Sequence, residues 1–233
     1  MTERSRKNMA ASVRQRLLNL REEIGADYNL LLTQYAIERF LFRLAQSPLA
    51  DQFVLKGAML FRVWAGALHR PTKDLDLLGY GEPTPNAIAD AVRQIIATSI
   101  AEDDGIRFEA STVQAREIRE GQEYGGIRVH LVALLGNARI PMQIDVGFGD
   151  AITPEAERRD YPTLLGMEAP SLRMYTPATV VAEKIEAAVT LGMTNSRMKD
   201  YYDLFVLLRE DQPSEDTLAA AIADIVRDPS RLR

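Results

Sequence analysis

The hydrophobic pattern of the chain changes twice along its length, and this change constrains the fold most strongly. Up to about residue 46, apolar residues recur at steps of three and four, which predicts two helices. Between residues 53 and 146 the pattern changes to alternation, most clearly at 74–78 and 140–146, which predicts strands. Helical periodicity returns after Thr176. The chain is therefore predicted to be an α/β (α+β) protein with a mixed sheet between helical ends.

Turn signals and composition predict how these segments are organised. A short strand at 53–55 is predicted to end in a tight turn at Gly57, and a helix follows it. Two separate strands are predicted at 107–110 and 112–118. Residues 151–171 are rich in proline and charge without a sustained period, which predicts an irregular linker. The resulting divisions are N-terminal helices at 1–50, a core at 51–150, and a linker with C-terminal helices at 151–233.

Composition excludes several classes of protein. The chain has 233 residues, of which 46% are hydrophobic, two are histidine and none is cysteine. Disulfide frameworks and thiolate zinc sites are therefore excluded, and two histidines leave little room for a histidine-rich metal site, so carboxylates and lysines must carry any chemistry. No apolar run approaches the roughly 20 residues that a bilayer crossing requires. We therefore expect a cytoplasmic protein with no membrane partner.

The N-terminal segment is basic, although the net charge of the whole chain is −5. In the first 21 residues, six arginines and lysines face a single acidic side chain. A basic helix of this kind either presents a solvated face or contacts a polyanion. The candidate contacts to an RNA backbone are Arg14, Arg16 and Arg21.

An Asp-x-Asp pair on a predicted strand is the clearest candidate site. Asp74 and Asp76 are two residues apart, so a strand places both carboxylates on one face, where they can share divalent cations. Gly57 lies upstream in a turn that lets backbone amides approach phosphate oxygens. Asp145 lies on the polar side of a later strand and adds a third carboxylate. Such oxygen ligands suit Mg²⁺ or Mn²⁺, and the pattern predicts transfer of a nucleotide.

Several short motifs together resemble a known family. They are Lys56-Gly57-Ala58, the string Arg70-x-Thr72-x-Asp74-x-Asp76, the single residue Lys184, and the segment Lys199-Asp200-Tyr201-Tyr202-Asp203-Leu204. In this combination the sequence resembles the AbiEii/AbiGii toxin family of nucleotidyltransferases. These proteins are the toxins of type IV toxin–antitoxin and abortive-infection systems, and they include the MenT-like enzymes. The resemblance extends from about residue 52 to residue 208.

The resemblance implies a polymerase-beta-like nucleotidyltransferase core with a helical C-terminal part. It implies that Asp74, Asp76 and Asp145 bind the metal, and that Lys184 and Asp200 act with the first two in catalysis. It further implies an NTP substrate, Mg²⁺ or Mn²⁺ as cofactor, an antitoxin partner, and a tRNA 3′ end as acceptor of the NMP. The residues implied to contact the nucleotide are Lys56, Gly57, Ala58, Arg70, Thr72 and Lys184.

Other interpretations of these residues stay open at the level of the sequence. Ala58 stands where the wider superfamily has serine, so a catalytically silent fold that binds an antitoxin or a nucleic acid is one alternative. A transferase that modifies a protein hydroxyl is another. Lys184 can extend from the edge of an apolar face, and Lys199 can form a surface pair with Asp203. The aromatic residues near the last motif are predicted to lie in the core rather than to form a platform for base stacking; they are Tyr201, Tyr202 and Phe205.

Overall fold

A seven-stranded mixed sheet forms the centre of the protein. The computed structural model describes residues 3–65, 72–118, 126–192, 198–210 and 213–227. The strands are β1 (Phe53–Lys56), β2 (Asp74–Gly79), β3 (Ile106–Ile118), β4 (Gly126–Leu135), β5 (Ala138–Gly147), β6 (Glu157–Asp160) and β7 (Ser171–Met174). Across the sheet they lie in the order β3-β4-β5-β2-β1-β7-β6. The predicted α/β class with a mixed sheet is confirmed.

Helices precede, interrupt and follow the sheet. They are α1 (Glu3–Ile24), α2 (Tyr28–Gln46), α3 (Phe61–Ala65), α4 (Pro85–Ala97), α5 (Pro177–Leu191), α6 (Met198–Glu210) and α7 (Glu215–Arg227). The start of α5 follows the predicted chemistry, because the Thr176 hydroxyl accepts the amide proton of Thr179 at 3.3 Å and proline occupies the first turn. Within the described ranges, none of the helices combines the length and the apolar character that spanning a bilayer demands.

Strand β2 lies in the middle of the sheet, between β1 and β5. It pairs antiparallel with β1 and parallel with β5. On the β5 side, β5, β4 and β3 continue as antiparallel neighbours. On the other side, β1 pairs parallel with β7, which pairs antiparallel with β6. The Asp-x-Asp strand therefore has a neighbour on both sides, which fixes its polar side chains among those of β1 and β5.

The prediction of two strands at 107–110 and 112–118 is wrong, because both segments belong to the single strand β3. The pairing of β3 with β4 shifts register between residues 109 and 114. At this bulge the Thr112 hydroxyl accepts the amide proton of Val132 at 2.9 Å, and so it replaces a ladder hydrogen bond. The sequence signal that suggested a break between strands is therefore the signal of a β-bulge.

The prediction of an irregular linker over 151–171 is also wrong in part. The segment contains β6 and leads into β7, and both strands join the central sheet. All four residues of β6 are exposed, so no apolar alternation marks this strand in the sequence. Such short edge strands are determined by pairing with a neighbour rather than by their own composition.

Helix α2 is buried on all sides between the sheet and α1. Every residue from Leu30 to Leu44 is buried. The buried residues include polar side chains, which an amphipathic pattern would assign to the solvent-facing side of the helix. Arg43 is satisfied by a bidentate ion pair, since Nη1 donates to Asp104 Oδ2 at 2.7 Å and Nη2 donates to Oδ1 at 3.1 Å. This pair joins α2 to the segment that precedes β3.

We predict that Asp104→Ala lowers the free energy of unfolding by about 3–5 kcal/mol, because the Arg43 guanidinium stays buried without its counter-charge. Asp90→Ala is the matched control, since it removes an ion pair to Arg93 at the surface of α4. This control is expected to change the unfolding free energy by less than about 1 kcal/mol. Urea denaturation followed by circular dichroism measures both variants, and equal effects would contradict the assigned role of Arg43–Asp104.

Candidate active site

Four charged side chains form a row across the centre of the sheet. Lys56 of β1 lies opposite Asp76 of β2 in the strand register. Asp76 lies opposite Asp145 of β5, and Asp145 lies opposite Arg128 of β4. Residues in register on neighbouring strands share a face, so the four side chains project to the same side of the sheet. The row therefore places two adjacent carboxylates between two cations, and Asp74 lies on the same face of β2.

The carboxylate of Asp76 lies against the turn that follows β1. Gly57 in this turn has a φ angle of 75°, and an added Cβ atom would lie 2.1 Å from Asp76 Oδ2 and 2.8 Å from Asp76 Cγ. Both the positive φ angle and the close approach require glycine. Gly57 therefore positions the side chain of Asp76, a role that the sequence did not predict.

The environment of Asp76 disfavours its negative charge. Burial raises the pKa of Asp76 to about 6, and the nearby carboxylates Asp145 and Asp74 add to the rise, while Lys56 and Lys199 oppose it. A bound cation relieves this unfavourable energy, so a carboxylate of this kind is suited to bind one.

Asp74 lies at the exposed end of the same strand. Nearby, the Thr72 hydroxyl donates to the backbone carbonyl of Asp74 at 3.4 Å. Thr72 thus belongs to the approach to β2, and its predicted contact with a nucleotide stays a prediction. Arg70, the other predicted nucleotide contact in this approach, lies outside the described residues. Ala58 lies in the short 3₁₀ turn Gly57–Leu60 that leads into α3.

Asp145 is held by other side chains of the sheet. Arg128 donates from Nε and Nη2 to its two oxygens at 2.8 and 2.7 Å, and Gln143 Nε2 donates to Oδ2 at 3.2 Å. In the described parts of the chain, no group of three or more histidine, aspartate or glutamate side chains could hold a metal ion. Metal binding by Asp74, Asp76 and Asp145 therefore stays a prediction.

Lys56 links the sheet to α5. Its ammonium group forms ion pairs with Asp150 and, at 3.4 Å, with Glu183, and it lies 5.4 Å from the ring centroid of Tyr175. Burial alone would lower the pKa of Lys56, but Glu183 and Asp150 outweigh this effect and hold the pKa above its ordinary value. Lys56 therefore stays charged and neutralises carboxylates beside the site, and its predicted contact with the nucleotide stays a prediction.

Lys184 binds two carboxylates of α6. Its Nζ atom lies 2.8 Å from Asp200 Oδ1 and 2.8 Å from Asp203 Oδ2, and the side chain of Asp203 is completely buried. The interpretation of Lys184 as a side chain extending from an apolar face is therefore wrong. The predicted pair between Lys199 and Asp203 is also wrong, because Asp203 turns inward to Lys184. The catalytic roles of Lys184 and Asp200 stay predictions.

The aromatic residues of α6 are exposed, so their predicted place in the core is wrong. Tyr201, Tyr202 and Phe205 are 43%, 50% and 58% exposed. The inner face of α6 is occupied instead by Asp200, Asp203 and Leu207, all of which are buried. The hydrophobic pattern alone could not identify this inner face, because two of its residues are carboxylates.

Three further residues of the site were missed from the sequence. Arg128 lies at a partly buried position of β4, and the alternation of this strand could have placed it on the polar face. Asp150 lies in an irregular segment after β5, and Glu183 adjoins Lys184 on a helix rich in apolar residues. Neither of these two carries a local signal, because both are defined by contact with Lys56.

Helix α1, which carries the three arginines, contacts the end of β4 and β5 that is remote from the row of carboxylates. Ala10 of α1 packs against Gly136 in the turn between β4 and β5, which is roughly 30 Å along an extended strand from Asp145. Arg14, Arg16 and Arg21 are exposed, but Arg16 donates a hydrogen bond to the carbonyl of Leu165. Their predicted contact with RNA stays a prediction, and Arg16 also has a structural role.

A mixed sheet that presents an Asp-x-Asp pair beside a glycine turn is compatible with the nucleotidyltransferase class, which the sequence comparison shows. The sequence matches the family described as nucleotidyl transferase AbiEii toxin, type IV TA system, over residues 39–232. Because this match covers most of the chain, the protein belongs to the AbiEii toxin family, as the sequence motifs predicted.

Two solved structures share the fold. JHP933 from Helicobacter pylori superposes with a TM-score of 0.50 at 17% identity, over 84% of this chain and 80% of its own. A second H. pylori protein, provisionally named a nucleotidyltransferase, gives a TM-score of 0.52 at 17% identity, over 89% of this chain and 80% of its own. At this identity the likeness extends to the fold alone. The comparison with curated protein sequences gave no significant match.

We predict that Gly57→Ala lowers nucleotidyl transfer by at least about a hundredfold, because the new Cβ atom displaces the carboxylate of Asp76 by an ångström or more. Gly166→Ala is the matched control. Gly166 has a similar φ angle of 64°, but an added Cβ atom would have no neighbour within 4 Å. Both variants carry about 1–2 kcal/mol of backbone strain, so they separate strain from displacement. Equal activity of the two variants would refute the positioning role of Gly57.

Lys184→Met is expected to lower the free energy of unfolding by about 3–5 kcal/mol, because it removes the ammonium group that both buried carboxylates, Asp200 and Asp203, bind. Lys199→Met, one residue before Asp200, is the control. Lys199 is exposed and forms no ion pair in the described part of the chain, so its loss should change stability by less than about 1 kcal/mol. Thermal and urea unfolding measure the difference, and a stable Lys184→Met protein would show that the cluster contributes little to folding.

Proposed function

We propose that the protein is a divalent-metal-dependent nucleotidyltransferase that transfers an NMP from an NTP to the 3′ end of a tRNA. The single observation that carries this proposal is the placement of Asp74 and Asp76 on one face of a central strand, with Asp76 fitted against Gly57. Membership of a type IV toxin family implies in addition an antitoxin partner and an NTP substrate. The antitoxin is expected to restrain this activity in the cytoplasm.

Asp74 and Asp76 fit the requirements of Mg²⁺ or Mn²⁺. Magnesium commonly binds one or two protein carboxylates and takes its other ligands from water and substrate phosphates. Two carboxylates with oxygens directed to one side of the strand match this preference, and the raised pKa of Asp76 adds a reason for it to bind a cation. A bound pair of ions would supply charge neutralisation of the triphosphate and of the attacking oxygen.

The remaining charged groups place the reactants. Lys56 and Lys184 each bind two carboxylates, which joins β1 to α5 and α5 to α6 without net repulsion. Lys199 is exposed near Asp76, where its charge favours the triphosphate. The acceptor hydroxyl attacks the α-phosphorus of the NTP, a new P–O bond forms, and pyrophosphate leaves. We propose that the backbone amides of Gly57 and Ala58 contact the phosphates. Such contacts do not need a side-chain hydroxyl at position 58.

The N-terminal arginines are proposed to bind the acceptor at a distance from the site. Arg14 and Arg21 are seven residues apart on α1, so they lie on one face of the helix, and both are exposed. Phosphate contacts of this kind make RNA affinity fall with salt, with a log–log slope of roughly 0.7–0.9 per contacted phosphate. Their neutralisation should flatten this slope and leave pyrophosphate exchange with free NTP unchanged.

The experiment that tests the proposal is incubation of the protein with each labelled NTP, Mg²⁺ and total RNA. Label in the tRNA fraction, lost on addition of EDTA, would support the proposal. Label in protein would favour modification of a protein hydroxyl instead. Absence of label in both fractions, with RNA or antitoxin still bound, would favour a catalytically silent fold.

We predict that Asp74→Asn and Asp76→Asn each lower transfer by at least about a hundredfold, because each removes an anionic metal ligand. Asp76→Asn should leave the free energy of unfolding in EDTA at pH 7.5 unchanged or higher. The reason is that the folded-state pKa of about 6 exceeds the ordinary value, so the ionised carboxylate opposes folding at this pH. Asp90→Asn on the surface of α4 is the control. Normal turnover by Asp76→Asn would disprove the metal assignment.

A further inference from the structure

Helix α6 presents an apolar stripe to solvent. Its members recur at steps of three and four residues and therefore lie on one face of the helix. They are the exposed side chains of Met198, Tyr201, Tyr202, Phe205 and Leu208. The opposite face is buried through Asp200, Asp203 and Leu207, so α6 is a fixed element of the fold rather than a loosely attached helix. The stripe is named here the α6 stripe.

The charges that border the α6 stripe are positive. Lys199 and Arg209 are exposed at its two ends, and the Arg209 guanidinium lies 5.8 Å from the ring centroid of Phe205. Among the α6 side chains that the structure describes, no carboxylate is exposed, because Asp200 and Asp203 both bind Lys184. Aromatic rings between exposed cations are the composition of a surface that binds single-stranded nucleic acid.

The α6 stripe begins beside the row of carboxylates. Asp200, in the first turn of α6, binds Lys184 of α5, and the neighbouring Glu183 binds Lys56 in the row itself. From this end the 13 residues of α6 extend over roughly 20 Å. The first turn of α6 is therefore the end of the stripe nearer to the row of carboxylates, and the last turn is the end farther from it.

We propose that the α6 stripe is a stacking platform for the unpaired nucleotides at the end of an RNA acceptor, which it holds in line with the catalytic carboxylates. This inference rests on the proposed function for its choice of RNA. RNA is favoured over a protein partner by the aromatic rings of the stripe, by the cations at both of its ends and by its proximity to the carboxylates. A surface that bound a protein would need apolar area, which aliphatic side chains supply as well as aromatic ones. Phe205, with Arg209 beside its ring, is the central residue of the platform.

The test is direct binding of a fluorescein-labelled single-stranded RNA of 12 nucleotides to the full-length protein, measured by fluorescence anisotropy in EDTA without NTP. Phe205→Ala should weaken binding about tenfold, and Tyr202→Ala/Phe205→Ala should weaken it further. Phe205→Leu should lose nearly as much as Phe205→Ala, because leucine keeps apolar volume but has no ring to stack. Val226→Ala, at a 54% exposed apolar position of α7, is the control and should bind as the wild type does.

Three results would overturn the platform. They are failure of the wild-type protein to bind the RNA, wild-type affinity of Phe205→Leu, and wild-type affinity of Phe205→Ala. If Phe205→Ala keeps its RNA affinity, and the wild-type protein self-associates in sedimentation experiments while the variant does not, the stripe is assigned to a protein interface. Nucleotidyl transfer to RNA is measured separately: the platform stands if RNA is bound through Phe205 but not labelled, and the proposed function stands if RNA is labelled with unchanged affinity in Phe205→Ala.

Discussion

The contact between the Asp76 carboxylate and the backbone of Gly57 is the interaction on which the candidate site depends. The carboxylate occupies the space where any other residue would place a Cβ atom, so the turn after β1 and the central strand β2 are fitted to each other. This contact fixes the orientation of Asp76 before a ligand binds, while burial of the same carboxyl group raises its pKa to about 6. A charged group held in place in advance needs little reorganisation during a reaction.

Charge balance explains how so many carboxylates can lie close together. Lys56 and Lys184 each neutralise two of them, and Arg128 binds another through both oxygens. Asp74 and Asp76 differ from these, because neither forms an ion pair within the described residues. The unbalanced negative charge is thus concentrated on the strand where the cation is proposed to bind, and the compensated charge lies around it.

Local patterns predicted the parts of the fold and site that local patterns determine. The bounds of α2, the cap of α5 and the shared face of Asp74 and Asp76 follow from periodicity and from the chemistry of single residues. Strand β6 and the partner of Asp203 did not follow, because pairing with β7 and contact with Lys184 are tertiary facts. The exposure of Phe205 was missed for the same reason.

The arrangement around Lys184 has a consequence for selection in living cells. A substitution there removes a candidate catalytic cation and also takes an ion pair away from the fully buried Asp203, so it is expected to reduce the number of folded molecules in addition to any effect on the activity of each one. A substitution at the exposed Asp74, a proposed metal ligand, is expected to act on activity alone. Substitutions of Lys184 should therefore reduce toxicity even at toxin expression levels at which a partial loss of catalytic activity alone would not let the cell survive. Loss of toxicity through a substitution of Lys184 consequently reflects a lower amount of folded protein as much as a change in catalysis.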